Sequence, residues 1–285
     1  MSKPSVSFII PAKNEAASIA GVVGRIRELY PDAEVVVVDD GSTDRTAALA
    51  EEAGADVHRH PTSLGNGAAV KAGARIAKGE IFVFLDADGQ HNPDDAGRLL
   101  AELTNGYDMA VGARSTGSHA SMGRLMANGI YNLIASIVTG HQISDLTSGF
   151  RTVRANLFKK YLYLLPNGFS YPTTITMALM RAGQPVTFVD IEAAQRKGKS
   201  HINPIRDGLR FLLIIFKIAT LYSPLKIFVP TSGFFFFVGL FYYLFTFTTQ
   251  GRFTNMSLLF FSAAVIIFLI GLIAEQITTL QYSNT

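Results

Sequence analysis

Asp86-Ala87-Asp88 follows directly on the apolar run Ile81-Phe82-Val83-Phe84-Leu85, and Gly89 and Gln90 come next. Two carboxylates one residue apart repel each other, so the pair is unfavourable without a cation. Oxygen ligands of this kind suit a hard divalent ion such as Mg²⁺ or Mn²⁺, which commonly also takes substrate phosphates. The run before the acids reads as a buried parallel strand whose carboxyl end meets solvent. In open α/β sheets that edge is where ligands bind.

Two more apolar runs end in the same way. Val6–Ile10 leads into Pro11-Ala12-Lys13-Asn14-Glu15, and Glu34–Val38 leads into Asp39-Asp40-Gly41-Ser42-Thr43-Asp44. One acidic strand end is usually a solvated turn; three together converge on a site. Their carboxylates suit the donors of a nucleoside, with Asp39 and Asp40 for base N–H groups and Glu15 for ribose hydroxyls. A metal would then serve the diphosphate. No Gly-x-Gly-x-x-Gly follows the first strand and no Gly-x-x-x-x-Gly-Lys-Ser/Thr occurs, which counts against dinucleotide and P-loop folds. Gly65-Asn66-Gly67 reads as a turn and helix start, or as backbone N–H groups facing a phosphate or the base. The six histidines show no metal-ligand spacing, and only His91 lies beside the diacid.

The elements that must position these residues alternate along the first two thirds of the chain. Strands are expected over Val6–Ile10, Glu34–Val38, Ala55–Arg59, Ile81–Leu85, Met109–Gly112 and Val186–Ile191. Helices are expected over Ala16–Tyr30, Thr43–Ala53, Gly67–Ala77, Pro93–Leu103, Met122–Thr139 and Tyr171–Ala182. Asn92, Pro93, Asp94 and Asp95 form a clear helix start. The alternation predicts an α/β fold with a mostly parallel sheet covered on both faces.

The last third has another composition. Ile227–Phe247 and Met256–Ala274 contain no charged residue, and each is long enough to cross a hydrocarbon core of about 30 Å as a helix. They read as a transmembrane hairpin with spans about 227–247 and 256–278. Asp207–Leu221 carries sparse charges among Leu, Ile and Phe and reads as an interfacial amphipathic helix. Arg196, Lys197, Lys199, Arg206, Arg210, Lys217 and Lys226 precede the first span, which places that side in the cytoplasm. The expected divisions are a catalytic domain at 1–203, a juxtamembrane helix at 204–225 and the hairpin at 226–285. The N-terminus runs straight into a strand, and no leader h-region is read there. The formal net charge of +3 argues against a nucleic-acid binder. The absence of cysteine excludes disulfides, zinc–thiolate sites and cysteine nucleophiles.

Pro-Ala-Lys-Asn-Glu, Asp-Asp-Gly-Ser-Thr-Asp and Leu-Asp-Ala-Asp-Gly-Gln, in this order and spacing, resemble family 2 inverting glycosyltransferases of the GT-A fold. Asp145-Leu146-Thr147-Ser148-Gly149-Phe150-Arg151 and the hairpin narrow the resemblance to polyprenyl-phosphate glycosyltransferases of the dolichyl-phosphate mannose synthase type. The resemblance implies a Rossmann-like sheet and transfer of a sugar from a UDP- or GDP-linked donor to a polyprenyl phosphate. It assigns Pro11, Asn14, Glu15 and Asp40 to the nucleoside. Asp86, Asp88 and Gln90 become ligands of Mg²⁺ or Mn²⁺, with Asp86 and Ala87 also facing the nucleotide-sugar. Arg114 and Arg124 receive the acceptor phosphate, and Asp145 acts as base or sugar-positioning group. Arg196, Lys197, Lys199 and Ser200 belong to a loop that closes over the diphosphate; the same basic residues also suit a membrane-surface anchor.

The expected partners are therefore a nucleotide-sugar, a polyprenyl phosphate and a lipid bilayer, with contacts between copies of the chain through the terminal helices. The expected location is the cytoplasmic face of a bacterial or archaeal plasma membrane, or of the endoplasmic reticulum. The alternatives are a polysaccharide synthase and a non-catalytic membrane scaffold. The first carries a Gln-x-x-Arg-Trp motif, and this chain has no tryptophan. The intact set of acids and Arg114 argues against the second. Because a lipid phosphate is already anionic, cations around it matter more than a strong base, so Asp145→Asn is expected to harm turnover less than loss of Asp88.

Overall fold

The computed structural model describes residues 4–114, 129, 132–133, 135–136, 139–168, 171–192, 216, 220 and 223–283. The chain divides into two compact units, Met1–Ser136 with His141–Pro204, and Ile137–Gly140 with Ile205–Thr285.

In the first unit, β1 (Val6–Ala12), α1 (Ile19–Leu29), β2 (Glu34–Asp39), α2 (Thr46–Glu52), β3 (Asp56–Arg59), α3 (Asn66–Ile76) and β4 (Ile81–Phe84) alternate. A 3₁₀ turn at Pro93–Asp95 enters α4 (Ala96–Thr104), and β5 (Met109–Arg114) follows. After β6 (Arg151–Arg154) come α5 (Ala155–Lys160), α6 (Tyr171–Arg181) and β7 (Val186–Ile191). The sheet has seven strands in the order β3-β2-β1-β4-β6-β5-β7. β6 runs antiparallel to both of its neighbours, while the other pairs are parallel.

Alternate residues of the central strands enter two apolar layers. Phe8, Ile10, Val35, Val37 and Val83 pack with Val22, Val23 and Ile26 of α1 and Leu99 and Leu103 of α4. On the other face Gly73 of α3 approaches Ile9 so closely that a Cβ there would lie 2.5 Å from its Cγ2. Phe84 meets Phe158 at 4.5 Å and Tyr171 at 6.3 Å between ring centroids. Each such buried side chain contributes about 1.5–3 kcal/mol. Two like charges 4 Å apart near a protein surface repel by about 4 kcal/mol. A few core residues therefore suffice to hold acids together at a strand end.

Several helices start later than their sequence pattern suggests, because the preceding residues form the site loops. α1 begins at Ile19 after a turn in which Asn14 has φ 55°. α2 begins at Thr46, whose backbone N–H and hydroxyl both donate to Asp44. The expected helix over Met122–Thr139 lies mostly outside the described residues, as does the interfacial helix over Asp207–Leu221.

The second unit contains α7 (Leu225–Gln250) and α8 (Asn255–Ser283), joined by a turn in which Gly251 adopts φ 64°. Both are long and apolar enough to cross a membrane, and only 6% and 17% of their apolar windows are buried. That exposure distinguishes them from core helices. They meet through small-residue notches: a Cβ on Gly239 would lie 2.9 Å from Phe260 Cβ, and one on Gly271 would lie 2.5 Å from Phe228 Cβ. At one end the Glu275 carboxylate accepts the Leu225 N–H at 3.3 Å, satisfying one of the orphan donors of the α7 N-terminus.

Candidate active site

The parallel strands β1, β2, β4 and β5 all end at one edge of the sheet. β6 runs the other way, so the segment that enters it reaches the same edge. Asp145–Phe150, far along the sequence from Asp86, thereby arrives beside the diacid.

At the end of β1, Pro11 is buried within the strand, opposite Val38. The Asn14 side chain accepts the Thr43 N–H at 2.9 Å, and its own N–H donates to Ser42 Oγ at 2.9 Å. The Glu15 N–H donates to Thr46 Oγ1 at 2.8 Å. The first two acidic strand ends are thus tied together by short polar bonds. Asp39 is buried; it accepts the Ser42 N–H at 3.0 Å and has Arg59 Nε at 3.4 Å.

Asp40 is engaged on both oxygens. Oδ1 pairs with His60 Nδ1 at 2.8 Å and the Leu64 N–H at 2.8 Å, while Oδ2 accepts Ser63 Oγ–H at 2.7 Å and the Gly65 N–H at 2.9 Å. Burial pushes this carboxyl up, but those four bonds outweigh it and hold its pKa down at about 2. Asp40 therefore fixes the 60–65 loop. The next backbone groups are also engaged: Gly67 N–H donates to Gly168 O at 3.3 Å and Ala68 N–H to Asn167 O at 2.9 Å. Of the two readings of Gly65-Asn66-Gly67, the structure shows the turn and helix start.

At the end of β4, Asp86, Ala87, Asp88 and Gln90 form one tight turn, with Gly89 at φ 72°. Gln90 N–H donates to Asp88 Oδ1 at 3.0 Å, and Ser18 Oγ–H donates to Ala87 O at 2.7 Å. The Asp86 side chain is one third exposed yet closely crowded by protein. That crowding raises its pKa, and the Asp88 charge adds to the effect, against the opposing pull of His91, Arg151 and Arg114. His91 is almost fully buried, which pushes its imidazole down.

Arg114, the last residue of β5, forms a forked pair with Asp145: Nε to Oδ2 at 2.7 Å and Nη2 to Oδ1 at 3.1 Å. Asp145 also accepts the Thr147 N–H at 3.0 Å, its hydroxyl at 3.0 Å and the Ser148 N–H at 3.2 Å. Burial would raise this carboxyl, but Arg114 outweighs it and leaves it below the usual range. The carboxylate correspondingly raises the Arg114 guanidinium against the effect of burial.

Three residues that shape the site had no role assigned from sequence, although Gly149 and Arg151 belong to the Asp145–Arg151 motif. Asn132 brackets Asp145, donating to Ser144 O at 2.6 Å and accepting the Leu146 N–H at 3.1 Å. Arg151 is fully buried; it donates to Ser148 O, to Pro172 O at 2.7 Å and to Thr176 Oγ1 at 3.1 Å. Gly149 lies against Asp86, where a Cβ would come 2.8 Å from the carboxyl carbon. The available signal for Arg151 was its place at the end of the Asp145–Arg151 motif. Gly149→Ala is expected to turn the Asp86 carboxylate and weaken Mn²⁺ binding about tenfold, read by titration of the free Mn²⁺ resonance. Unchanged affinity would show that the carboxylate has room to adjust. Arg124, Arg196, Lys197, Lys199 and Ser200 lie outside the described residues.

Two carboxylates and an amide fit a hard cation by the chemistry of their oxygens; burial raises Asp86 most, and the Asp88 repulsion that adds to it is what a cation would relieve. Among the described residues no three Asp, Glu, His or Cys side chains form a self-sufficient ion cage. Such a site suits an ion that also takes phosphate oxygens.

Comparisons with known proteins agree with this geometry. Residues 7–162 match "Glycosyl transferase family 2", and residues 223–280 match "GtrB C-terminal hairpin". The undecaprenyl-phosphate mannosyltransferase of Micrococcus luteus is 31% identical over 229 residues, 72% of this chain and 94% of that protein. The polyprenol monophosphomannose synthase of Mycolicibacterium smegmatis is 34% identical over 204 residues, 66% of this chain and 77% of that one. The crystal structure of glucosyl-3-phosphoglycerate synthase from Mycobacterium tuberculosis, in complex with Mn²⁺, UDP and glucosyl-3-phosphoglycerate, superposes with a TM-score of 0.61 at 20% identity. It covers 75% of this chain and 78% of that chain, and the likeness is one of fold.

Proposed function

This chain belongs to glycosyl transferase family 2, and from that premise we propose that it moves a sugar from a nucleotide-sugar to the phosphate of a polyprenyl phosphate. The observation that carries the reading is the Arg114–Asp145 pair at the same edge as the Asp86 and Asp88 turn. It joins a cation for an acceptor anion to acids for a metal–diphosphate. The two relatives, named for undecaprenyl phosphate and for polyprenol monophosphomannose, and the match to a terminal hairpin support a lipid acceptor.

In this reading Pro11, Asn14, Glu15, Asp39 and Asp40 form the nucleoside pocket. Asn14 and Asp40 act by holding the 42–43 and 60–65 segments, since their oxygens already bond within the protein. Asp86, Asp88 and Gln90 would hold Mg²⁺ or Mn²⁺. When bound, the cation supplies positive charge that neutralises the diphosphate as it departs. The Arg114 guanidinium, set by Asp145, receives the acceptor phosphate. A phosphate oxygen forms the new bond to the anomeric carbon while the bond to the diphosphate oxygen breaks, and the nucleoside diphosphate leaves with inversion. The acceptor has no proton to remove, so a carboxyl held below the usual range is adequate at Asp145. Arg124, Arg196, Lys197, Lys199 and Ser200 are assigned to the same two anions. The basic residues before α7 support a cytoplasmic position for the catalytic unit, and the apolar faces of α7 and α8 are the surfaces through which copies would associate.

The test is a donor panel. The full chain in detergent, with Mn²⁺ or Mg²⁺ and polyprenyl phosphate, is mixed with each UDP- and GDP-sugar, and lipid-linked product is read by mass. A polyprenyl-phosphate sugar from one donor is expected, and EDTA abolishes it. Transfer only to a water-soluble phosphate would overturn the acceptor reading.

A further inference from the structure

His91 is a buried group beside the diacid that the reaction as described does not use. Its side chain is 4% exposed, and its ring lies against Phe150 with centroids 5.5 Å apart and planes inclined by 34°. That contact fixes the plane of the ring. Nδ1 is buried with no hydrogen-bond partner, and it faces Asp86 Oδ2 at 3.8 Å. A buried polar atom left unpaired costs about 1–3 kcal/mol, so an orphan of this kind needs a reason. Packing does not supply one, because phenylalanine would fill the same space against Phe150 and strand no nitrogen.

The carboxylate has a matching need. Gly149 crowds it from one side, since a Cβ there would come 2.8 Å from both Cγ and Oδ1. A donor and an acceptor thus stand about 1 Å beyond hydrogen-bond distance, with a backbone wall limiting where the carboxylate can turn. Outer-sphere hydrogen bonds of this type orient the side chains that hold a metal.

We propose that His91 is a positioning residue for Asp86: Nδ1–H donates to Oδ2 and fixes the carboxylate that would hold the divalent cation. The neutral ring suffices and no proton is transferred. The inference rests on the proposed function only through the assignment of Asp86 to the cation.

The test is Mn²⁺ alone titrated into the full chain in detergent, with the free-ion resonance read by electron paramagnetic resonance. His91→Phe, which keeps the ring but not the donor, is expected to weaken Mn²⁺ binding about tenfold or more. In the transfer assay its KM for Mn²⁺ rises by a similar factor, while kcat at saturating Mn²⁺ stays within about twofold of wild type. His91→Asn, which returns an N–H near the Nδ1 position, is expected to recover most of the affinity. His91→Leu is a second donor-free variant, for use if phenylalanine lowers the metal-free melting midpoint. Wild-type affinity in the donor-free variant, or equal loss in His91→Asn, would overturn the role of His91. A wild-type chain that binds no Mn²⁺ would instead overturn the cation site itself.

Discussion

Asp88→Asn is expected to lower sugar transfer by about 10²–10³-fold, the scale seen when one preorganised charge-stabilising group is lost. The substitution is nearly isosteric. An amide oxygen can still accept the Gln90 N–H that Asp88 Oδ1 takes at 3.0 Å, so the turn is retained. What disappears is one negative charge at the strand end, and with it one of the two carboxylates available to a cation. The Asp88 charge helps to raise Asp86, so its removal also lowers repulsion in the metal-free protein. The variant should therefore melt no earlier than wild type while losing activity. Transfer of a radiolabelled sugar into the lipid fraction, followed across a Mn²⁺ titration, measures the loss. Activity above about a tenth of wild type at every Mn²⁺ concentration would remove Asp88 from the cation site.

For Asp145→Asn the expected loss in kcat/KM is about 10–100-fold, smaller than for Asp88→Asn. A hydrogen bond to a charged group is worth about 1.5–3 kcal/mol, and each 1.36 kcal/mol is tenfold in rate. The amide presents one N–H₂ group to a shell made entirely of donors: Arg114, the Thr147 N–H and hydroxyl, and the Ser148 N–H. Arg114 loses its fork and the 145–148 turn loosens. The defect should appear chiefly as a higher KM for polyprenyl phosphate, because the displaced group is the one that receives it. Stability should change as well. The folded carboxyl lies below its unfolded value of about 3.9. The wild-type pair thus contributes stability above that pH, which is lost as pH falls through the depressed folded value. The Asn variant should melt earlier near neutral pH, and the difference should close in strong acid. A loss equal to that of Asp88→Asn, with acceptor KM unchanged, would return Asp145 to the role of an essential base.

The sheet was readable because β2 and β4 are apolar runs that stop at acids and β1 is apolar but for Ser7, and both faces of such strands are buried. β6 was not. Its four residues include two arginines, and Arg151 is buried only because Ser148 O, Pro172 O and Thr176 meet it from distant segments. No local pattern encodes that arrangement. The diacid and the Arg114 and Asp145 motifs were visible individually, but their adjacency depends on the antiparallel direction of β6. Asp40 shows another limit of reading by residue type. Its identity suggests a ligand contact, whereas its position surrounds it with four donors from the protein. His91 attracted notice only by its place after the turn; its orphaned nitrogen is a property of packing.

The reversed strand also bears on how such a protein can diversify. The chain leaves the sheet at Arg114 and re-enters it at Arg151, and β5 and β6 are direct neighbours. That excursion starts at the catalytic edge, where β5 ends, and finishes there, where Asp145–Phe150 leads into β6. Both ends of that excursion are clamped by strand pairing, so a change in its length alters no register elsewhere in the sheet. Lengthening a closed loop costs little, about 0.6 kcal/mol per doubling. The fold thereby separates two kinds of inheritance: a sheet and the site segments at its edge, Asp145–Phe150 among them, that tolerate little variation, and a connection between β5 and those segments whose length can change while the chemistry beside it stays in place.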